Sequence, residues 1–426
     1  MDTNHWWQSA VFYELYVDKF AGNFQGLTEH LGYFETLGIN VLHILPHYPS
    51  PMVDDGYDVS DYRNVRPELG TLQDFKALVR EARRLGIHII VDLVLNHVSR
   101  EHPWFAAARR SRSDPLRVFF IWSETKEVLK DSINAFPHLK PLNWIYNPAT
   151  NDYYYATFYP EQPDLNWNNP DVFAEMTAIM DFWIDSGVDG FRLDAASHLV
   201  KKEGTRSKGI PETHAVLKRI HAHLEEHAPR VMLLAEVHDP VPEIKKYFGD
   251  GTGNECHMAY HFPLAAKLIL AALRNDPSPV EKMVGESFDI PSDCRWAVFL
   301  RSHDHLSLAT LAETEQDELL TFCDPDQRYG FRSENGISMR IGSIFKKNPE
   351  KIRSAFDMLL KLPAPPIIYY GEEIGMENDA TIGTPADTRR YVRGKFDWQL
   401  ALAQQKNPNS LFHFVRECLR KRNRPS

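Results

Sequence analysis

The sequence predicts an α/β chain folded as a single (β/α)8 barrel, and three observations carry that prediction. Four apolar segments, 87–97 (IHIIVDLVLNH), 187–198 (GVDGFRLDAASH), 231–238 (VMLLAEVH) and 296–304 (WAVFLRSHD), each end in an acid, a histidine or both. Strands buried on both faces read as such runs, and β/α barrels assemble their sites from the C-terminal ends of several strands. Stretches with helical spacing lie between the segments, and a length of 426 residues suits one barrel with insertions.

The elements follow in order. Residues 10–17 read as the first strand. Residues 26–37 carry Leu27, Leu31, Phe34 and Leu37 at helical spacing, closed by Gly38. Residues 40–45 form the second strand, and a loop rich in Pro and Asp runs over 46–65. Thr71 caps a helix that ends near Gly86, and the third strand then delivers Asn96 and His97. Residues 98–169 break the alternation. Their aromatics, prolines and asparagines mark a small inserted domain on the site face, so the barrel comprises 1–97 and 170–426.

Pro170 opens an amphipathic helix (Val172, Phe173, Met176, Ile179, Met180, Trp183). The fourth strand ends at Asp194, a helix spans about 212–227, and the fifth strand ends at Glu236. Residues 257–262 are the sixth strand, 263–274 its helix, and the seventh strand ends at Asp304. Residues 305–345 read as an irregular loop over the site. Residues 351–362 are helical, 366–370 are the eighth strand, and 411–421 are the closing helix. No short repeat or low-complexity tract appears.

Composition narrows the class. The apolar fraction of 43% and the charged fraction of 25% are ordinary for a globular chain. A net charge of −10, with no basic cluster among aromatics, argues against a nucleic-acid partner. No uninterrupted apolar run approaches a membrane span, and the first residues lack a signal-peptide pattern. The four cysteines are widely spaced, which fits a reducing, cytoplasmic setting.

Alternation puts Arg192 and Asp194 on one side of their strand. The guanidinium would keep the carboxylate ionised and aimed. A structural ion pair and an activated nucleophile are both open readings of that pair alone. Three further strands ending in Asn96 and His97, in Glu236, and in His303 and Asp304 tip the balance toward a site.

These four segments resemble the four signature regions of the α-amylase superfamily, glycoside hydrolase family 13. Residues 162–166 (QPDLN) resemble the fifth, in the form of its oligosaccharide-acting branch, which includes oligo-1,6-glucosidases, α-glucosidases and trehalose synthases. Residues 201–205, 211–214, 247–251, 255–258 and 369–376 are similar to trehalose synthases, and the resemblance covers the whole chain. It implies that Asp194 is the nucleophile, Glu236 the general acid and later base, and Asp304 a third carboxylate that favours a cationic transition state. Glu236 would have its pKa raised by burial and by the neighbouring acids.

The resemblance further implies that Arg192 orients Asp194, that His97 and His303 bond sugar hydroxyls, and that Tyr57 stacks under the ring. His198 would line the acceptor side. Asp54 and Arg393 would form an ion pair that closes the pocket behind one glucose, unless both are ordinary loop charges. Ala195 resembles the pattern that prefers α-1,4 linkages. No cofactor is required. The branch's early calcium loop is missing over 18–25, and Asn96 and Asp164 are candidate ligands for a different, structural calcium ion. The β-sandwich that usually follows the barrel has no counterpart in this sequence.

The chain departs from trehalose synthases at Ala195-Ala-Ser-His198, at Val237-His238, and at His305, where Glu would be usual. These positions border the acceptor side. The reading is therefore a retaining, exo-acting α-glucosidase or transglucosylase working on small α-glucosides through a glucosyl-aspartate. The alternative is a trehalose synthase that interconverts maltose and trehalose. Two further readings are a catalytically silent carbohydrate-binding barrel and a metal-dependent hydrolase using His97, Glu236 and Asp304. The sequence is silent on oligomeric state.

Overall fold

The computed structural model describes residues 5–331, 336–384 and 387–422. Eight parallel strands close a barrel: β1 (Phe12–Leu15), β2 (Val41–Ile44), β3 (His88–Val94), β4 (Gly190–Asp194), β5 (Met232–Ala235), β6 (Met258–Tyr260), β7 (Arg295–Phe299) and β8 (Pro366–Tyr369). Each pairs with its neighbour in sequence, and β8 returns to β1. The strand burial patterns are almost continuous, as expected when side chains fill the barrel on one face and helices cover the other.

The expected helices surround the barrel. Thr71 and Asp74 form a reciprocal capping box at Leu72–Arg84. Pro170 follows the Asn169 cap of Pro170–Asp185. The helix expected over 26–37 is two, Phe24–Glu29 and Leu31–Leu37, interrupted at His30. The His30 ring bonds the Gly26 carbonyl at 2.7 Å, and Gly38 closes the second helix at φ 98°.

Between β3 and β4, strands Trp122–Ser123, Trp144–Asn147 and Asp152–Tyr155 form a small antiparallel sheet with the last in the middle. His97 and Asp164 pair in an isolated bridge where this region returns to the barrel.

Residues 305–345 are not an irregular loop. They hold helix Glu313–Cys323, a short helix Ile341–Ile344 and a sheet of three two-residue strands. Leu319 and Cys323 lie one turn apart on the buried side of the longer helix, a spacing too short to declare a period in the sequence.

Register aligns the site. Asp92 on β3 lies beside Arg192 on β4, Val94 beside Asp194, and Leu193 beside Ala235 on β5. The next residue after Ala235 is Glu236, so the two key carboxylates leave adjacent strands at the same height. Beneath them the barrel interior is polar: Glu14, His43, Asp92, Arg192, Tyr260 and His303 are all buried. No helix among the described residues is long and apolar enough to cross a membrane.

Candidate active site

Arg192 organises the centre. Its Nη1 donates to Asp92 at 2.5 Å and to Asp194 at 2.6 Å, and its Nη2 lies 3.0 Å from Glu236. Two carboxylates held by one guanidinium are necessarily close together. Losing such a partner would leave buried charges uncompensated, at a cost of about 3–5 kcal/mol.

Behind Arg192, His43 sits 3.1 Å from Asp92 and 3.4 Å from Glu14. Glu14 also holds Nδ1 of His303 at 2.9 Å. These fully buried groups satisfy one another, which fixes Arg192 from below.

Ala195 follows Asp194 in the left-handed region at φ 48°. That conformation is costly for a residue with a side chain. It turns the Ala195 N–H onto Oε2 of Glu236 at 2.9 Å. Oε1 of Glu236 lies 3.1 Å from Nε2 of His238, two residues further on.

The electrostatics differ from expectation. Burial pushes the Glu236 pKa up, but Arg192 and His238 outweigh it and hold Glu236 below the usual carboxylate range. Asp194 is raised: burial is the largest influence, Arg192 opposes it, and Glu236 and Asp92 add to it. The two carboxyls are thus biased in opposite directions. Double displacement needs the reverse, an ionised Asp194 and a protonated Glu236. Asp304 is ionised: His303, Arg389 and Arg393 overcome its burial and depress its pKa strongly.

A cavity of about 150 Å³ lies above these groups. Of the residues singled out in the sequence, Asp54, Tyr57, His97, Asp194, Ala195, His198, Glu236, His238, Asp304 and His305 line it. Arg192, His303 and Arg393 stand behind the wall. His303 accepts or donates at 2.7 Å to the Tyr57 hydroxyl and stacks on the Tyr57 ring at 5.5 Å, so it braces Tyr57. His97 donates from Nε2 to the Tyr57 carbonyl at 3.2 Å, and burial pushes its pKa down to about 4, leaving it neutral.

The expected Asp54–Arg393 pair does not form. Arg389 takes that place, with Nη2 2.7 Å from Asp54, while Gln162 donates to the other carboxylate oxygen at 3.0 Å. Arg393 instead reaches Asp55 at 2.6 Å and Asp304 at 2.9 Å. Residues 388–393 contain three arginines, and the local turn Thr388–Val392 decides which one faces the cavity. Sequence spacing could not.

The calcium expectation at Asn96 and Asp164 meets a different cation. The Lys201 ammonium lies 2.6 Å from Asn96 Oδ1 and 2.7 Å from Asp164 Oδ2, and it also donates to the His198 carbonyl. Asp164 further accepts from the Thr157 hydroxyl and from its backbone N–H. A donor set already filled by an ammonium does not fit a calcium ion, which takes six to eight oxygens. His221, Glu225 and His257 also cluster, at the N-terminal side of β6. There the Leu233 N–H donates to His257 Nδ1 at 3.0 Å, which leaves the proton on the Nε2 that a metal would need.

Fold and site together define a barrel enzyme with three convergent carboxylates over a sugar-sized cavity. The α-amylase catalytic-domain model matches residues 3–325, and the chain belongs to the α-amylase family, glycoside hydrolase family 13. It is 39% identical to a trehalose synthase of Thermus thermophilus over 98% of this chain and 46% of that one. It is 38% identical to a trehalose synthase/amylase of Mycolicibacterium smegmatis, over 93% of this chain and 67% of the relative. The chain thus spans from about half to two thirds of these relatives' lengths. Among solved structures, the trehalulose synthase MutB of Pseudomonas mesoacidophila superposes with a TM-score of 0.76 at 25% identity, covering 99% of this chain and 84% of that one. An inactive MutB double mutant in complex with isomaltulose superposes with the same score.

Proposed function

We propose that this chain transfers α-glucosyl units between small sugars with retention, in the manner of the trehalose synthases it resembles. The observation that carries this reading is the shared grip of Arg192 on Asp194 and Glu236. Retaining chemistry needs carboxyl groups about 5–5.5 Å apart, and inverting chemistry a wider gap for water. Asp194 attacks the anomeric carbon while Glu236 protonates the leaving oxygen. An acceptor hydroxyl then attacks the glucosyl-aspartate as Glu236 takes its proton. Asp304, ionised by Arg393 and Arg389, stabilises the positive charge that develops between these steps.

The Asp54–Arg389 pair walls off the cavity, which supports removal of one terminal glucose at a time. Maltose–trehalose interconversion is the form of transfer that the relatives support. Hydrolysis is a second reading, supported by His238 and His305 on the acceptor side. The partner is a small α-glucoside and the setting cytoplasmic; no cofactor is required.

The test is incubation with maltose, trehalose and sucrose separately, followed through their anomeric protons by NMR. Isomer formation with little free glucose supports transfer. Fresh α-glucose alone assigns hydrolysis. First-formed β-glucose from trehalose or sucrose, which have no free anomeric carbon, contradicts retention.

A further inference from the structure

The catalytic cavity opens sideways into a second one of about 240 Å³, and the two share Arg206, Lys208, His238 and His305. Among the described residues only one carboxylate, Asp239, lines this second space, and it is taken: Lys208 Nζ lies 2.8 Å from it and also donates to the His238 carbonyl at 2.8 Å. The Arg206 backbone carbonyl accepts from the Ile133 N–H at 3.0 Å, but its side chain is exposed at the junction and its guanidinium makes no hydrogen bond or ion pair with any described residue. A long guanidinium left free beside a reaction centre is a ready partner for an oxyanion.

The histidines add to this. The His238 ring stacks on Phe262 at 3.7 Å and on His305 at 5.5 Å, and its buried Nδ1 has no partner. The acceptor side therefore carries one positive charge uncompensated among the described residues, next to a donor side crowded with Asp54, Asp194, Glu236 and Asp304.

We infer that the sugar on the acceptor side carries an anionic oxygen group, a phosphate or a carboxylate, held by Arg206 and Lys208. This deepens, and rests on, the glucosyl-transfer reading. In the transfer step the bond between C1 and the Asp194 oxygen breaks. A bond from C1 to the acceptor hydroxyl oxygen forms, and that hydroxyl's proton passes to Glu236. Inorganic phosphate would attack through one of its own anionic oxygens and yield a glucosyl phosphate.

The experiment uses 4-nitrophenyl α-glucoside as donor, with glucose, glucose 6-phosphate, glucuronate and inorganic phosphate as separate acceptors at low salt. Nitrophenol release reports the glucosyl-enzyme, and chromatography reports transfer. The expected result is an anionic acceptor preferred over glucose about tenfold, the scale of one charge-assisted hydrogen bond. That preference should fade with added salt, vanish in Arg206→Ala and invert in Arg206→Glu. Which acceptor leads separates phosphate from carboxylate and a sugar acid from the free ion. Equal use of glucose, or an anion preference that survives Arg206→Glu, overturns the inference. Loss of nitrophenol release would instead count against the transfer reading. Calorimetric titration of the same anions into the protein then decides: saturable binding absent in Arg206→Glu supports the site, and no binding overturns it.

Discussion

Arg389 holds Asp54 at 2.7 Å across the back of the cavity, joining the loop after β2 to the segment after β8. Cation and carboxylate are almost fully buried, so removing one strands the other. Arg389→Ala should lower kcat/KM for maltose roughly a hundredfold, an effect of about 3 kcal/mol. It should also erase the preference for disaccharide over maltopentaose. Arg393→Ala, which acts on Asp304, should lower both substrates alike. Kinetics on the two sugars check this, and an unchanged ratio in Arg389→Ala refutes the closing role.

Lys201 stands where a structural calcium was expected. Lys201→Met leaves Asp164 buried without its counter-charge, which should cost about 3–5 kcal/mol of stability. Denaturant unfolding measures the loss. Chelator added to the unaltered protein should leave both Tm and activity unchanged, and a fall in Tm on chelation would contradict the ammonium's role.

His238 is one of two groups that hold the Glu236 pKa down. Replacing it with Ala removes that influence, so Glu236 should keep its proton to higher pH. The alkaline limb of the kcat/KM profile should move upward by about one pH unit. A limb that stays in place, or moves down, would show that His238 does not govern the acid.

Acid should destabilise the fold earlier than carboxylate titration would. Burial holds His97 down to about 4, and His47, His102, His257 and His261 to about 3. Unfolded histidines titrate near ~6.5. Between these values the unfolded chain binds protons that the folded chain refuses, so stability falls as pH drops from about 6.5 toward 3. Tm recorded from pH 7.5 to 4.5 should decline steadily below about 6.5. A flat Tm down to pH 5 would contradict the burial of these rings.

The barrel was legible because its strands are apolar runs ending in polar residues, and the register that brings Asp194 beside Glu236 follows from their matching positions at strand ends. What stayed hidden depends on side chains meeting across long loops. Arg389 could not be told from Arg393 by spacing, since the turn between them sets which faces Asp54. Lys201 reads as one more basic residue until Asp164 folds back beside Asn96. His238 was visible as a departure, but its contact with Glu236 needed the backbone turn after β5. The opposite bias of Asp194 and Glu236 depends on how Arg192 divides its charge among three carboxylates, and no linear pattern encodes that division.

Transfer with retention passes through a covalent glucosyl intermediate on Asp194. Intact-mass measurement and peptide mapping after reaction with 5-fluoro-α-glucosyl fluoride test it most directly. One fluoroglucosyl group per chain is expected, on the peptide containing Asp194, and none in Asp194→Ala. An adduct on Glu236, or full turnover with no adduct and an inverted product, would contradict it.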